Sequence, residues 1–150
     1  MTYCRPTPGP RRGADKIPRM TIIDPPQLAR PRGFSHGVAA SGRLLFVAGQ
    51  IGWNARGELV SDRFVDQFDQ ALTNVITVVA EAGGTPASIG RLTIYVTDKS
   101  EYRAALRETG ERYRKHMGQH YPAMTLVEVK SLLEDGARVE IEATAVIAER

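Results

Sequence analysis

One cysteine and one tryptophan are all that this 150-residue chain contains of either type, and aromatic residues make up only 7% of it. With Cys4 alone, neither an internal disulfide nor a multi-cysteine zinc site can form. No apolar run approaches the roughly 20 residues that a membrane-spanning helix needs. The N-terminus is basic and Pro-rich, and no apolar stretch of the kind found in secretory signals follows it. A soluble, cytoplasmic chain is therefore expected. Its length suits one domain with a working core, and it contains no internal repeat.

The pI of about 9.2 suggests a nucleic-acid partner, but the positive charge is not spread evenly. Residues 1–32 hold seven Lys/Arg against two Asp, whereas residues 33–150 hold thirteen Lys/Arg against fifteen Asp/Glu, a net −2. Tight RNA binding needs clustered cations, so nucleic acid is not expected as a partner of the folded part. Seven of the nine prolines also lie in residues 1–32, which reads as a flexible Pro/Arg-rich extension without regular structure. Residues 33–150 form the expected domain.

Within that domain, Val38-Ala-Ala40 and Leu44-Leu-Phe-Val-Ala48 flank Ser41-Gly42 and suggest a hairpin. Phe64, Phe68, Leu72, Val75 and Val79 step by four, four, three and four, which places them on one face of a helix over about 62–82, ended by Gly83-Gly84. A strand over 91–97 and a second helix over 100–117 follow. Two further strands, 121–130 and 138–147, flank the turn at Leu132-Leu-Glu-Asp-Gly136, and the spacing reads as a pair. The order β-β-α-β-α-β-β predicts an α+β two-layer sandwich with two helices on one face of a mixed sheet. The strands look apolar on both faces, so a second subunit is expected to cover the helix-free side.

Several phrases, in order, resemble the reactive-intermediate deaminase family (Rid, YjgF-like). They are Phe46-Val-Ala-Gly-Gln-Ile51, Tyr95-Val-Thr-Asp98, Tyr121-Pro-Ala-Met124 before Val127-Glu-Val129, and Glu140-Ile-Glu-Ala143. The resemblance spans residues 33–148 and implies a chorismate mutase-like fold and a homotrimer with small-molecule pockets between subunits. It implies no cofactor. Met20-Thr-Ile-Ile23 falls where such chains ordinarily begin, so translation is expected to start at Met20.

The resemblance also assigns roles. The family arginine that clamps a substrate carboxylate falls on Met124, whose thioether has no charge and donates no hydrogen bond. A pocket asparagine falls on Leu106, and the aromatic hydroxyl of a Tyr-Ser-Gln motif becomes Phe34, with His36 at the glutamine position. The family's water-positioning glutamate matches Glu140, which the resemblance makes the catalytic residue; the alternative is an exposed or paired strand carboxylate. Glu142 and Glu128 read as structural.

Other patterns point nowhere specific. Gly33-Phe-Ser-His-Gly37 fits G-x-S-x-G, but no strand precedes it and no helix follows to present the serine as a nucleophile. His116 and His120 stand four apart with Gly118 between them, so no metal site is expected. The resulting expectation is a hydrolase converting a reactive imine or enamine to a carbonyl compound and ammonia, with poor action on standard 2-imino acids. The alternative is a non-catalytic, ligand-binding or regulatory trimer.

Overall fold

The structure, a computed structural model, describes residues 19–149. Strand β1 (Thr21–Ile23) pairs antiparallel with β2 (Gly37–Ala39) in a two-stranded ribbon, Ile22 opposite Val38. The main sheet contains β3 (Arg43–Gln50), β4 (Ile89–Val96), β5 (Ala123–Glu128) and β6 (Val139–Ile147) in the order β3-β6-β4-β5. Helices α1 (Phe64–Glu81), α2 (Lys99–Ala104) and α3 (Leu106–Met117) complete the fold. The two-layer α+β architecture is the one expected, with corrections in its pairing.

Three local readings change. The hairpin at Ser41-Gly42 does not form, because β3 pairs with the long alternating strand β6 (Leu44 opposite Val146) and leaves β2 to β1. The stretches around Met124 and Glu140 are not partners either: β4 lies between β5 and β6, parallel to the first and antiparallel to the second. Regular structure also begins before Arg32, since β1 lies inside the segment expected to lack it. Residues 1–18 of that extension, Cys4 included, lie outside the described residues.

Helix α1 follows its apolar spacing closely. Phe64, Phe68, Leu72, Val75 and Val79 are each 3% exposed or less, and burying a side chain of this size stabilises by about 1.5–3 kcal/mol. Gly83 ends the helix at φ +88, with Gly84 N donating to Val79 O at 2.9 Å. The second helix is broken at Ala105 (φ −102, ψ 11), a residue with nothing helix-breaking in its chemistry. Asp98 caps the first piece by accepting from Ser100 N at 2.8 Å and Glu101 N at 3.2 Å. Beyond the break Thr109 and Tyr113 are buried, while Leu106, the first residue of α3, is 51% exposed.

The helices pack on Val47, Leu92, Ile94, Val139 and Ile141, all buried. On the opposite face, alternation and register align Phe46 with Thr144, Thr93 with Glu142 and Tyr95 with Glu140. That face is mixed, where the sequence reading took it as apolar, yet Phe46 stands 76% exposed on it. Buried Gln67 anchors the start of β6. Its Nε2 donates to Ser61 O and Gly136 O at 2.9 and 3.0 Å, and its Oε1 accepts from Arg138 N at 2.8 Å.

Candidate functional site

Strand β5 is one of the two edges of the sheet, and the segment before β2 closes over its start. Ser35 N donates to Pro122 O at 3.0 Å and Ser35 Oγ donates to Tyr121 O at 2.6 Å. The serine of the G-x-S-x-G string is thus 6% exposed and engaged with backbone, which leaves it no nucleophile's role. It fixes its two neighbours instead. Phe34 and His36 meet edge to face at 5.5 Å. His36 Nε2 lies 2.7 Å from Ala29 O, which can only accept, so that nitrogen carries a proton.

Phe34, Leu106 and Met124 line one cavity of about 450 Å³ between α2, α3 and the edge of the sheet. Tyr102, Tyr113 and Tyr121 complete much of its wall. Tyr113 stacks on Tyr121 at 5.4 Å and donates its hydroxyl to His120 O at 2.7 Å. Burial, reinforced by Tyr121, pushes the Tyr113 pKa well above the ordinary phenol range, and burial raises that of Tyr102. These rings stay neutral. A second cleft of about 280 Å³ lies across the edge and holds Phe34, His36 and Met124 together with Arg91 and Thr125. Met124 and Phe34 therefore line both hollows, with Leu106 in the larger and His36 in the smaller.

Glu140 is elsewhere. It lies on the helix-free face opposite Tyr95, four residues along β4 from Arg91, or about 13 Å at the rise of a strand. Its carboxylate packs over Gly49 and has no hydrogen-bond partner among the described residues. Its neighbours are occupied. Tyr95 donates to Glu142 Oε1 at 3.0 Å, a bond that raises the tyrosine's pKa, and Glu128 Oε2 accepts from Lys99 N at 2.8 Å. One chain alone does not bring Glu140 to Met124.

The two spaced histidines part company. His116 Nε2 lies 2.5 Å from Asp69 Oδ1, and His120 Nε2 lies 2.7 Å from Ile89 O. Among the described residues no group of three or more potential ligands could hold a metal ion. Sequence reasoning missed Thr109, Arg114 and Arg91, which line the hollows beside Met124. A glycine inside a helix, Gly110, four residues before Arg114, was the available signal.

This edge-strand cavity beneath a two-layer α+β sheet defines a class. The family model described as Endoribonuclease L-PSP matches residues 27–147. A RutC family protein of Haemophilus influenzae is 37% identical over 106 residues, covering 70% of this chain and 80% of that one. A 2-iminobutanoate/2-iminopropanoate deaminase of Capra hircus is 31% identical over 105 residues, covering 69% and 73%. A crystal structure of a Rid-family protein of unknown function from Yersinia pestis superposes with a TM-score of 0.77 at 37% identity, covering 85% of this chain and 98% of that chain. The chain belongs to the Rid (YjgF-like) family, some of whose members carry the imine deaminase name. Among the described residues, no helix is long and apolar enough to cross a membrane.

Proposed function

We propose that this protein hydrolyses a reactive imine or enamine to a carbonyl compound and ammonia, with water activated by Glu140 of one copy acting on a ligand held beside Met124 of another. Water adds to the C=N carbon, nitrogen gains the proton that Glu140 relays, and the C–N bond breaks to release ammonia. The observation carrying this reading is the state of Glu140. Alone among the three carboxylates of β5 and β6 it has no partner among the described residues, and it sits on an open sheet face that also presents Phe46 at 76% exposure. Packing another copy on that face removes Phe46 from water and joins the carboxylate to a cavity. A cytoplasmic homotrimer is the assembly this reading adopts.

Met124 narrows the substrate. A thioether cannot grip a carboxylate, so 2-iminobutanoate and 2-aminoacrylate are poor substrates for this site. In the test, an amine oxidase generates an imine that lacks a carboxylate, and its loss is followed optically. Glu140→Gln is expected to lower turnover by about 10²–10⁴-fold. A second reading, a non-catalytic ligand-binding trimer, draws on the apolar character of Met124, Leu106 and Phe34. Ligand binding by Glu140→Ala, with no imine of a broad panel turned over by the unmodified protein, favours that reading.

A further inference from the structure

Helix α2 is attached to the molecule differently from its neighbours. None of its six residues is buried, whereas α3, beyond the break at Ala105, buries Thr109, Tyr113 and Met117. A helix this short has little stability of its own, so its attachments decide where it rests. Most of them are polar and lie at its rim. Lys99 N donates to Glu128 Oε2 at 2.8 Å, and Arg138 Nη1 donates to both carboxylate oxygens of Glu101 at 3.2 Å. Tyr102 is the α2 side chain that packs against the core, meeting Phe64 edge to face at 6.0 Å.

A second observation falls on the same helix. Among the described residues two buried side-chain polar atoms have no hydrogen-bond partner, Thr109 Oγ1 and Arg138 Nε. Both belong to residues tied to α2 or to its junction with α3: Arg138 pairs with Glu101, and Thr109 N donates to Ala105 O at 2.9 Å. A buried polar atom left unpaired is destabilising, and contact with water relieves it. Holding α2 in place thus carries a cost that an outward movement removes, which brings the two positions closer in free energy.

We propose that α2 is a lid on the inner end of the larger cavity, hinged at residues 97–98 and at Ala105 and latched by the Glu101–Arg138 pair. Tyr102 of α2 and Leu106, just past the hinge, line that cavity together with Phe68, Ile94 and Thr109, which are each 5% exposed or less. Hinges of this kind are a few element-terminal residues that absorb a change in φ and ψ, and they need not be glycine. Strand β4 stays fixed on the near side, because Thr97 N donates to Arg138 O at 3.1 Å. Outward movement breaks the Glu101–Arg138 pair and the Tyr102–Phe64 contact, hydrates both orphaned atoms and admits small molecules to the inner end. The lid governs entry, so it serves a hydrolase and a ligand-binding protein alike.

Amide hydrogen exchange on the full chain tests the movement, and thiol labelling tests the access. Glu101→Gln removes the latch charge, and is expected to speed exchange of the amides of 99–105 by about 3- to 5-fold while leaving those of 109–117 unchanged. Arg63→Gln, which breaks the Arg63–Glu108 pair between α1 and α3, should leave 99–105 as they were. For access, Thr109→Cys in a Cys4→Ser background places one thiol at the inner end, and an aromatic disulfide reagent reports its exposure by absorbance. Its labelling should quicken by the same 3- to 5-fold with Glu101→Gln and not with Arg63→Gln. Exchange of α2 and α3 in step, or exchange of 99–105 that Glu101→Gln leaves unchanged, overturns the proposal. So does a labelling rate that Glu101→Gln does not alter. The exchange arm needs no substitution inside the cavity, so it decides the matter even where Thr109→Cys does not fold.

Discussion

Glu140 on β6 lies directly over Gly49 on β3: a methyl group on that glycine would overlap the carboxylate oxygen and stand 2.8 Å from Cδ. The contact falls where the β3–β6 register shifts between Val47 and Gln50, an irregularity of the kind that re-aims side chains. Gly49→Ala should therefore displace the carboxylate without emptying the core. Misplacing a catalytic group by about 1 Å can cost on the order of 10²-fold in rate. Steady-state kinetics should show kcat falling by about that factor, with little change in KM. Unchanged kcat in Gly49→Ala would separate this glycine from the chemistry.

The exposed Phe46 gives a prediction about assembly. A charge in place of Phe46, on a face where it is 76% exposed in one chain, would have to be desolvated for a second copy to pack there. Phe46→Asp is expected to sediment as a monomer and to lose imine hydrolysis while keeping its helical circular dichroism. An oligomer of unchanged mass would show that this face is not the contact surface.

Much of the fold could be read from local spacing, and the pairing could not. The α1 stripe from Phe64 to Val79 and the alternation from Val139 to Ala145 are set by which residues shun water, and both hold. Which strands become neighbours is settled by long-range competition. In that contest β6 draws β3 away from β2, and β4 comes between β5 and β6. Phe34, His36, Leu106 and Met124 were named from the resemblance; Phe34 and Met124 line both hollows, Leu106 only the larger and His36 only the smaller. The separation of Glu140 from them was not legible, because it depends on which face of which strand it occupies. Arg114 and Arg91 were missed because their place beside the hollows exists only in three dimensions.

A cluster between α1 and α3 predicts acid sensitivity. Asp69 lies 2.9 Å from Arg112 and 2.5 Å from His116. Burial alone would raise its pKa; the His116 hydrogen bond and the charges of His116, Arg112 and Lys115 outweigh it and hold the carboxyl below its usual value. A depressed folded-state pKa contributes stability that is present above the unfolded value, near 4, and is lost as pH falls through the folded value. Asp69→Asn should cost about 1.5–3 kcal/mol at pH 7, the range for hydrogen bonds to charged groups. Urea titrations should find that difference shrinking below about pH 4. A pH-independent difference would contradict the assignment.

The most direct test of the central claim compares kcat/KM for an imine that lacks a carboxylate with that for 2-iminobutanoate, in the unmodified protein and in Met124→Arg. A site with no cation at residue 124 should favour the imine without a carboxylate by about tenfold or more, and the new arginine should move the ratio toward the acid. Equal rates on both imines in the unmodified protein, or a ratio that Met124→Arg leaves where it was, would contradict the account.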